Sequence, residues 1–225
     1  MDFNFLSQIP LFRGIRTEEI ESMQHCLNMV TRRYDKGAVI YRMGETARAI
    51  GVILSGSVII EHGDLWGNTS ILDVMEPGEI FGEMYACLPH EPLMVDVIAG
   101  ADTEVLFVEV ARISQFCPMG CSRHGQLISN LLAISAQRNL SLSRKIFHTS
   151  SKSIRSRLLS YLSHEATRAS SRTVTIPFDR RQLADYLGVD RSALSHEISK
   201  MKREGLLEAR KNQFRILQDE AMRVN

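Results

Sequence analysis

Long apolar runs are missing from this 225-residue chain. No stretch approaches the roughly 18 uninterrupted apolar residues that a membrane-spanning helix needs, and the opening MDFNFLSQIP lacks the basic start and apolar run of a secretory signal. These absences predict a cytoplasmic protein with no membrane partner. Cysteine is scarce at 4 residues. In a reducing compartment Cys26, Cys87, Cys117 and Cys121 are expected as free thiols, redox sensors or ligands rather than structural disulfides. No nucleophile–base motif, phosphate-cradling loop or metal-hydrolase spacing occurs, which argues against an enzyme. Glycine is absent from Gln126 to Leu187, and proline between Pro118 and Pro177, so one long helix can run unbroken through the middle.

What is present divides the chain. Its length suits two domains, and 44% hydrophobic with 24% charged residues supplies a core for each. The net charge of +1 hides an asymmetry: residues 151–225 hold 15 Lys and Arg against 9 Asp and Glu, while residues 1–150 hold 12 against 17. A basic module tied to an acidic one points to a polyanion partner for the tail. Twelve of the 14 glycines lie at or before Gly125 and punctuate β-rich runs, AVIY, IGVILSGSVII, TSILDV and EVLFVEV, the pattern of an antiparallel double sheet or barrel. A helix is expected over residues 17–30, with Thr17 as N-cap and Ile20, Met23, Leu27 and Val30 on one stripe. In the long central helix Ile128, Leu132, Ser135, Asn139, Leu142 and Ile146 alternate steps of four and three, the spacing of a coiled-coil dimer seam in which Asn139 could fix the register; a helix packed on its own barrel is the alternative. The divisions expected are a sensor domain over 1–122, a dimerisation helix over 123–150 and a DNA-binding domain over 151–225.

The strongest signal is DRRQLADYLGVDRSALSHEISKMKREGLL, residues 179–207. Asp179 and Gln182 form a capping box for a first helix, with Leu183 and Leu187 inward and Ala184 permitting close approach. Gly188 breaks it, and Asp190 caps a second helix whose Leu194, Ile198 and Met201 face the core. The other face shows Arg191, Ser192, Ser195 and His196 near the N-terminal end, the end that enters the major groove in a helix-turn-helix. These four are the candidate base readers, Arg191 suiting guanine through its forked guanidinium. Arg180, Arg181, Lys200 and Lys202 are the candidate phosphate contacts. Beyond Gly205, LLEARKNQFRIL folds back at Lys211 and Asn212 and joins TVTIPF as a small β wing.

The chain resembles the CRP/FNR regulators over nearly its whole length. Two motifs carry the resemblance: the winged helix-turn-helix, and Pro77-Gly78-Glu79 followed by Phe81-Gly82-Glu83, which looks like the phosphate-cassette start of a cyclic-nucleotide-binding barrel. More narrowly, LGVDRSALS resembles uncharacterised members from anaerobic Gram-positive bacteria. The resemblance implies an α+β fold, with an N-terminal cyclic-nucleotide-binding-type double-stranded barrel (jelly roll), a long dimerisation helix and a C-terminal winged helix-turn-helix. It also implies a homodimer acting on double-stranded promoter DNA with a two-fold symmetric site, with RNA polymerase as a further partner. Two departures follow. Cyclic-AMP-binding members place an arginine after Phe-Gly-Glu, where this chain reads Glu91-Pro92-Leu93-Met94, so a buried phosphate would lack its cation and tight cyclic-nucleotide binding is not expected. Many members carry Glu at position 192 and Arg at position 196, so Ser192 and His196 predict a different half-site.

The signal stays open between a small effector and a redox change, and no cofactor is assigned. An effector pocket would use Phe81, Gly82, Glu83, Leu93 and Met94, its apolar residues favouring a neutral or aromatic ligand; an empty, structural barrel is the alternative. Cys117, Cys121 and His124 share steps of four and three, which on a helix would let them hold zinc or an iron–sulfur centre with a fourth ligand from elsewhere, or form a reversible disulfide. Small cysteines packed beneath the helix are the competing reading. A haem held by His62, His90 or Cys87 has little behind it. The rival to a DNA reader is an effector-binding or protein-interaction module whose helix-turn-helix does not read DNA.

Overall fold

The computed structural model describes residues 1–63, 69–114 and 123–217. Two compact units divide at Ala136 and Gln137.

The first unit opens with α1 (Phe3–Gln8), where the Asp2 carboxylate accepts the Phe5 N–H at 3.0 Å. A 3-10 turn over Pro10–Phe12 leads to α2 (Thr17–Met23). The helix expected over residues 17–30 is therefore shorter. Arg16, not Thr17, occupies the N-cap position, and the Glu19 carboxylate accepts its backbone N–H at 2.9 Å while pairing with its guanidinium at 3.0 Å. Asn28 turns the chain out of the helix at a φ of 48°. Ile20, Met23 and Leu27 are buried as the stripe requires, but Val30 begins a strand and is 40% exposed.

The strands are β1 (Val30–Tyr34), β2 (Val39–Tyr41), β3 (Ala49–Ser55), β4 (Val58–Gly63), β5 (Thr69–Met75) and β6 (Ile80–Phe81), then β7 (Asp96–Ala99) and β8 (Thr103–Glu109). Helix α3 (Glu83–Cys87) separates β6 from β7, and α4 (Val110–Ser114) follows β8. They build two antiparallel four-stranded sheets, ordered β1-β8-β3-β6 and β2-β7-β4-β5. The sheets remain separate, so the expected barrel is an open double sheet of jelly-roll type.

The run IGVIL of β3 is apolar without alternation because both its faces are covered. Ile50 and Val52 join Leu6, Phe12, Ile20 and Leu106 under the helices, while Ile53 joins Phe81, Leu93, Val97 and Val105 between the sheets. Gly51 lies between them. A Cβ there would sit 2.1 Å from the Phe81 ring, so the glycine makes room for that aromatic in the interior.

Helix α5 (His124–Thr149) is continuous over its 26 residues, as the absence of glycine and proline predicted. Leu127 and Leu131 are buried in the core of the first unit. Ile128, Leu132, Leu142 and Ile146, four of the six expected seam positions, are 45–69% exposed.

In the second unit Ser153 caps α6 (Ile154–Ala169), and β9 (Thr173–Thr175), α7 (Arg180–Leu187) and α8 (Arg191–Arg203) follow. β10 (Leu207–Arg210) and β11 (Gln213–Ile216) complete a sheet of order β10-β11-β9, the wing. Leu158, Leu162, Leu183, Leu187, Leu194 and Ile198 share its core. The hairpin turns at Lys211 and Asn212, as the alternation predicted, and Asn212 Nδ2 donates to the Ile176 carbonyl at 2.9 Å.

Candidate nucleic-acid interface

Local capping places α8. The Asp179 carboxylate accepts from Arg181 N–H at 2.7 Å and Gln182 N–H at 2.8 Å, and the Gln182 side chain accepts the Asp179 N–H at 2.8 Å. α7 stops at Gly188, whose φ of 62° lies in the left-handed region that a side chain would resist. Two residues later Asp190 caps α8, accepting from Ala193 N–H at 2.8 Å and the Ser192 hydroxyl at 2.5 Å. The hydroxyl and backbone donors hold the Asp190 carboxyl below its usual range.

Leu194, Ile198 and Met201 are buried, which turns the opposite face of α8 outward. Arg191, Ser192 and His196 are exposed there, with Ser195 half-buried. Ser199, one turn beyond Ser195, continues that face and was not singled out in the sequence; its hydroxyl donates to the Ser195 carbonyl at 2.9 Å. Arg181, Arg191, Lys200 and Arg203 make no side-chain hydrogen bond or ion pair among the described residues. Arg180 differs. Its guanidinium lies 5.2 Å from the Phe214 ring and donates to the Lys211 carbonyl at 3.1 Å, with burial lowering its pKa. Lys202 reaches the Ala209 carbonyl at 3.4 Å. These two cations brace the wing.

Sequence reasoning missed two arginines on α6 that set the motif in place. Arg155 bridges Glu197 of α8 at 2.7 Å and Glu204 at 2.8 Å. Arg157 donates to the carbonyls of Leu187 and Gly188, both at 3.0 Å, and to that of Ser151 at 2.7 Å. Its charge thus sits at the C-terminal end of α7, where the helix dipole favours a cation.

In the first unit the five residues expected around an effector are distributed differently. Phe81 and Leu93 are core residues between the sheets, 1% and 2% exposed, and Phe81 meets Tyr41 and Phe107 edge-on at 6.0 and 6.5 Å. Gly82 precedes α3 and Glu83 is buried at its start. Met94 is turned to the surface, 66% exposed. A cavity of about 320 Å³ lies instead between the edge strands β1 and β2, lined by Arg32, Tyr34, Tyr41, Arg48 and Phe107 among others. Tyr41 donates its hydroxyl to the Ala49 carbonyl at 2.9 Å, and burial pushes its pKa up to about 12.

Cys117 and Cys121 lie outside the described residues. His124 is buried, and its Nε2 stands 3.4 Å from the Sγ of Cys26, a partner 98 positions away that no local spacing could reveal. The Cys87 thiol is pushed up by burial and by Glu83, away from the reactive thiolate. Among the described residues no three His, Cys, Asp or Glu side chains are grouped to hold a metal, and no helix is long and apolar enough to cross a membrane.

Residues 31–118 match the model of the cyclic nucleotide-binding domain and residues 156–224 that of the Crp-like helix-turn-helix domain. The chain is 27% identical over 217 residues to the probable transcriptional regulator flp of Lacticaseibacillus casei, spanning 95% of this chain and 94% of that one. It is 34% identical over 98 residues to the cyclic AMP receptor protein of Thermus thermophilus, spanning 43% and 44%. The c-di-GMP responsive global regulator CLP of Xanthomonas campestris shares the fold, with a TM-score of 0.53 at 20% identity over 90% of this chain and 100% of that one. A winged helix-turn-helix behind a cyclic-nucleotide-binding-type double sheet defines a DNA-binding transcription regulator, and neither domain is that of an enzyme. The chain belongs to the CRP/FNR family.

Proposed function

We propose that the protein reads a two-fold symmetric promoter site as a homodimer, each copy laying α8 in a major groove. The observation that carries this reading is the exposed first two turns of α8, where Arg191, Ser192, Ser195 and His196 stand outward while the other face is buried. Arg191 and His196 supply donors for base edges. Arg181 and Lys200 are free to meet phosphate, and Arg180 and Lys202 act there only as wing supports that place the backbone of Lys211 and its neighbours. Ile128, Leu132, Leu142 and Ile146 would pack against a second copy, with Ser135 and Asn139 setting the register. At the promoter the dimer would meet RNA polymerase.

Control would come from a small effector or a redox change. Supporting an effector is the cavity between β1 and β2, which offers aromatic walls; supporting redox control is the contact between Cys26 and His124, from the helix that follows Cys117 and Cys121. Cyclic AMP is not expected as the effector, because Leu93 is buried core and Met94 is apolar where a phosphate would need a cation. Binding-site selection on random duplex DNA, with reductant, oxidant or added metal, tests this function. A two-fold site with half-sites about one helical turn apart is expected. No enriched sequence under any condition, with a folded dimer in hand, overturns it.

A further inference from the structure

The second unit holds a cavity that DNA reading does not use. It has a volume of about 190 Å³ and lies among the C-terminal part of α5, α6 and α7, with Arg144, His148, Tyr161, His164 and Tyr186 on its walls. One side is aromatic. Phe178 and Tyr186 stack at 5.0 Å and 30°, and Tyr161 stands 5.2 Å from Tyr186.

Its charge is out of balance. Arg168 is engaged with Glu165 at 2.8 Å, whereas Arg144 makes no side-chain hydrogen bond or ion pair among the described residues. Glu165 is the only carboxylate on the walls. His148 is 1% exposed, and its Nδ1 pairs with the Ser160 hydroxyl at 3.0 Å. The His164 ring lies 5.3 Å from it; its Nδ1 is buried without a hydrogen bond, 3.4 Å from the Glu165 carboxylate. Burial first, then His164 and Arg144, lower the His148 pKa, with Glu165 opposing them.

We propose that this cavity binds a small anion of one-ring size, a carboxylate or phosphate ester on a planar ring, with the acid group at Arg144 and the ring against Phe178 and Tyr186. A guanidinium pairs carboxylate or phosphate through two parallel N–H donors. The ring faces provide the apolar body of the site, and the volume, below the roughly 300 Å³ at which drug-sized pockets begin, suits a single ring. The site is separate from the cavity of the first unit, and the proposal does not depend on the reading of DNA.

The test titrates the full chain, with histidine side chains isotope-labelled, against sodium benzoate, phenyl phosphate and inorganic phosphate. Ring signals of His148 and His164 should shift saturably with benzoate or phenyl phosphate, and which of the two is tighter identifies the acid group. Arg144 is exposed and has no side-chain hydrogen bond or ion pair among the described residues, so Arg144→Gln should melt like the parent yet weaken binding at least about tenfold, a change of about 1.4 kcal/mol. Inorganic phosphate should bind at least about tenfold more weakly than phenyl phosphate, since it cannot use the aromatic wall. Absence of any saturable shift overturns the proposal. So do shifts that survive unchanged in Arg144→Gln, or inorganic phosphate matching phenyl phosphate, which would make the cavity a site for an adventitious anion only.

Discussion

Replacing Arg157 with alanine should loosen the helix-turn-helix without touching the outward face of α8. One guanidinium donates to three main-chain carbonyls, of Leu187 and Gly188 where α7 ends and of Ser151 before α6. Hydrogen bonds from a charged donor contribute about 1.5–3 kcal/mol each when buried. Here the side chain is half-buried and water can replace part of what is lost, so the three together should contribute about 2 kcal/mol rather than their sum. A domain the size of the second unit shifts its melting point by about 4–8 °C per kcal/mol, which predicts a fall of about 10 °C in the transition of that unit. Calorimetry separates the transition from that of the first unit. Hydrogen exchange supplies the local readout, with amides at the end of α7 exchanging faster than those of β3. Arg157→Lys should recover little, because an ammonium on a flexible stem cannot span the three carbonyls as a planar fork does. A melting point within about 2 °C of the parent, with unchanged exchange in α7, would refute the view that Arg157 holds the turn.

The remaining predictions concern other parts of the molecule. His148 titrates below the ordinary value of about 6.5 in the folded protein, so its contribution is complete above that pH and is lost as pH falls through the lower folded value; urea midpoints at neutral and mildly acidic pH should separate in that direction, and His148→Asn should narrow the gap. Gly51→Ala places a methyl carbon 2.1 Å from the Phe81 ring and should cost about 1–3 kcal/mol by overpacking in a denaturation curve, with Phe81→Leu in the same chain restoring part of it. Leu132→Glu puts charge on an exposed position of the proposed seam and should shift sedimentation towards monomer while leaving the circular dichroism of the subunit intact.

Legibility in the sequence followed the range of the interactions. The helix-turn-helix could be read because its instructions are local: Asp179 with Gln182, Gly188 and Asp190 act within three residues of where they sit. The unbroken α5 could be read for the same reason, from the residues it lacks. The end of α2 was misread because hydrophobic spacing continued through Leu27 to Val30 while Asn28, at a positive φ, had already turned the chain. Around Phe81 the motif Phe-Gly-Glu was legible, but its surroundings depend on Gly51 from another strand. Arg155 and Arg157 gave no sign of their roles, since their partners at the end of α7 and on and after α8 lie 30 to 49 positions further along, and Cys26 meets His124 across 98.

The short contact between Ser192 and Asp190 limits what α8, as the proposed reading helix, could offer a base. A hydroxyl has one proton to give and two lone pairs to offer. The cap takes that proton. While α8 keeps its cap, Ser192 can therefore present only lone pairs to a base edge, and would favour the amino groups of cytosine or adenine over the carbonyl oxygens of guanine or thymine. Arg191 beside it gives protons and accepts none, so neighbouring positions on one helical turn would make opposite demands on successive bases. A selected half-site with a guanine or thymine carbonyl opposite Ser192 would mean that the cap opens when DNA binds.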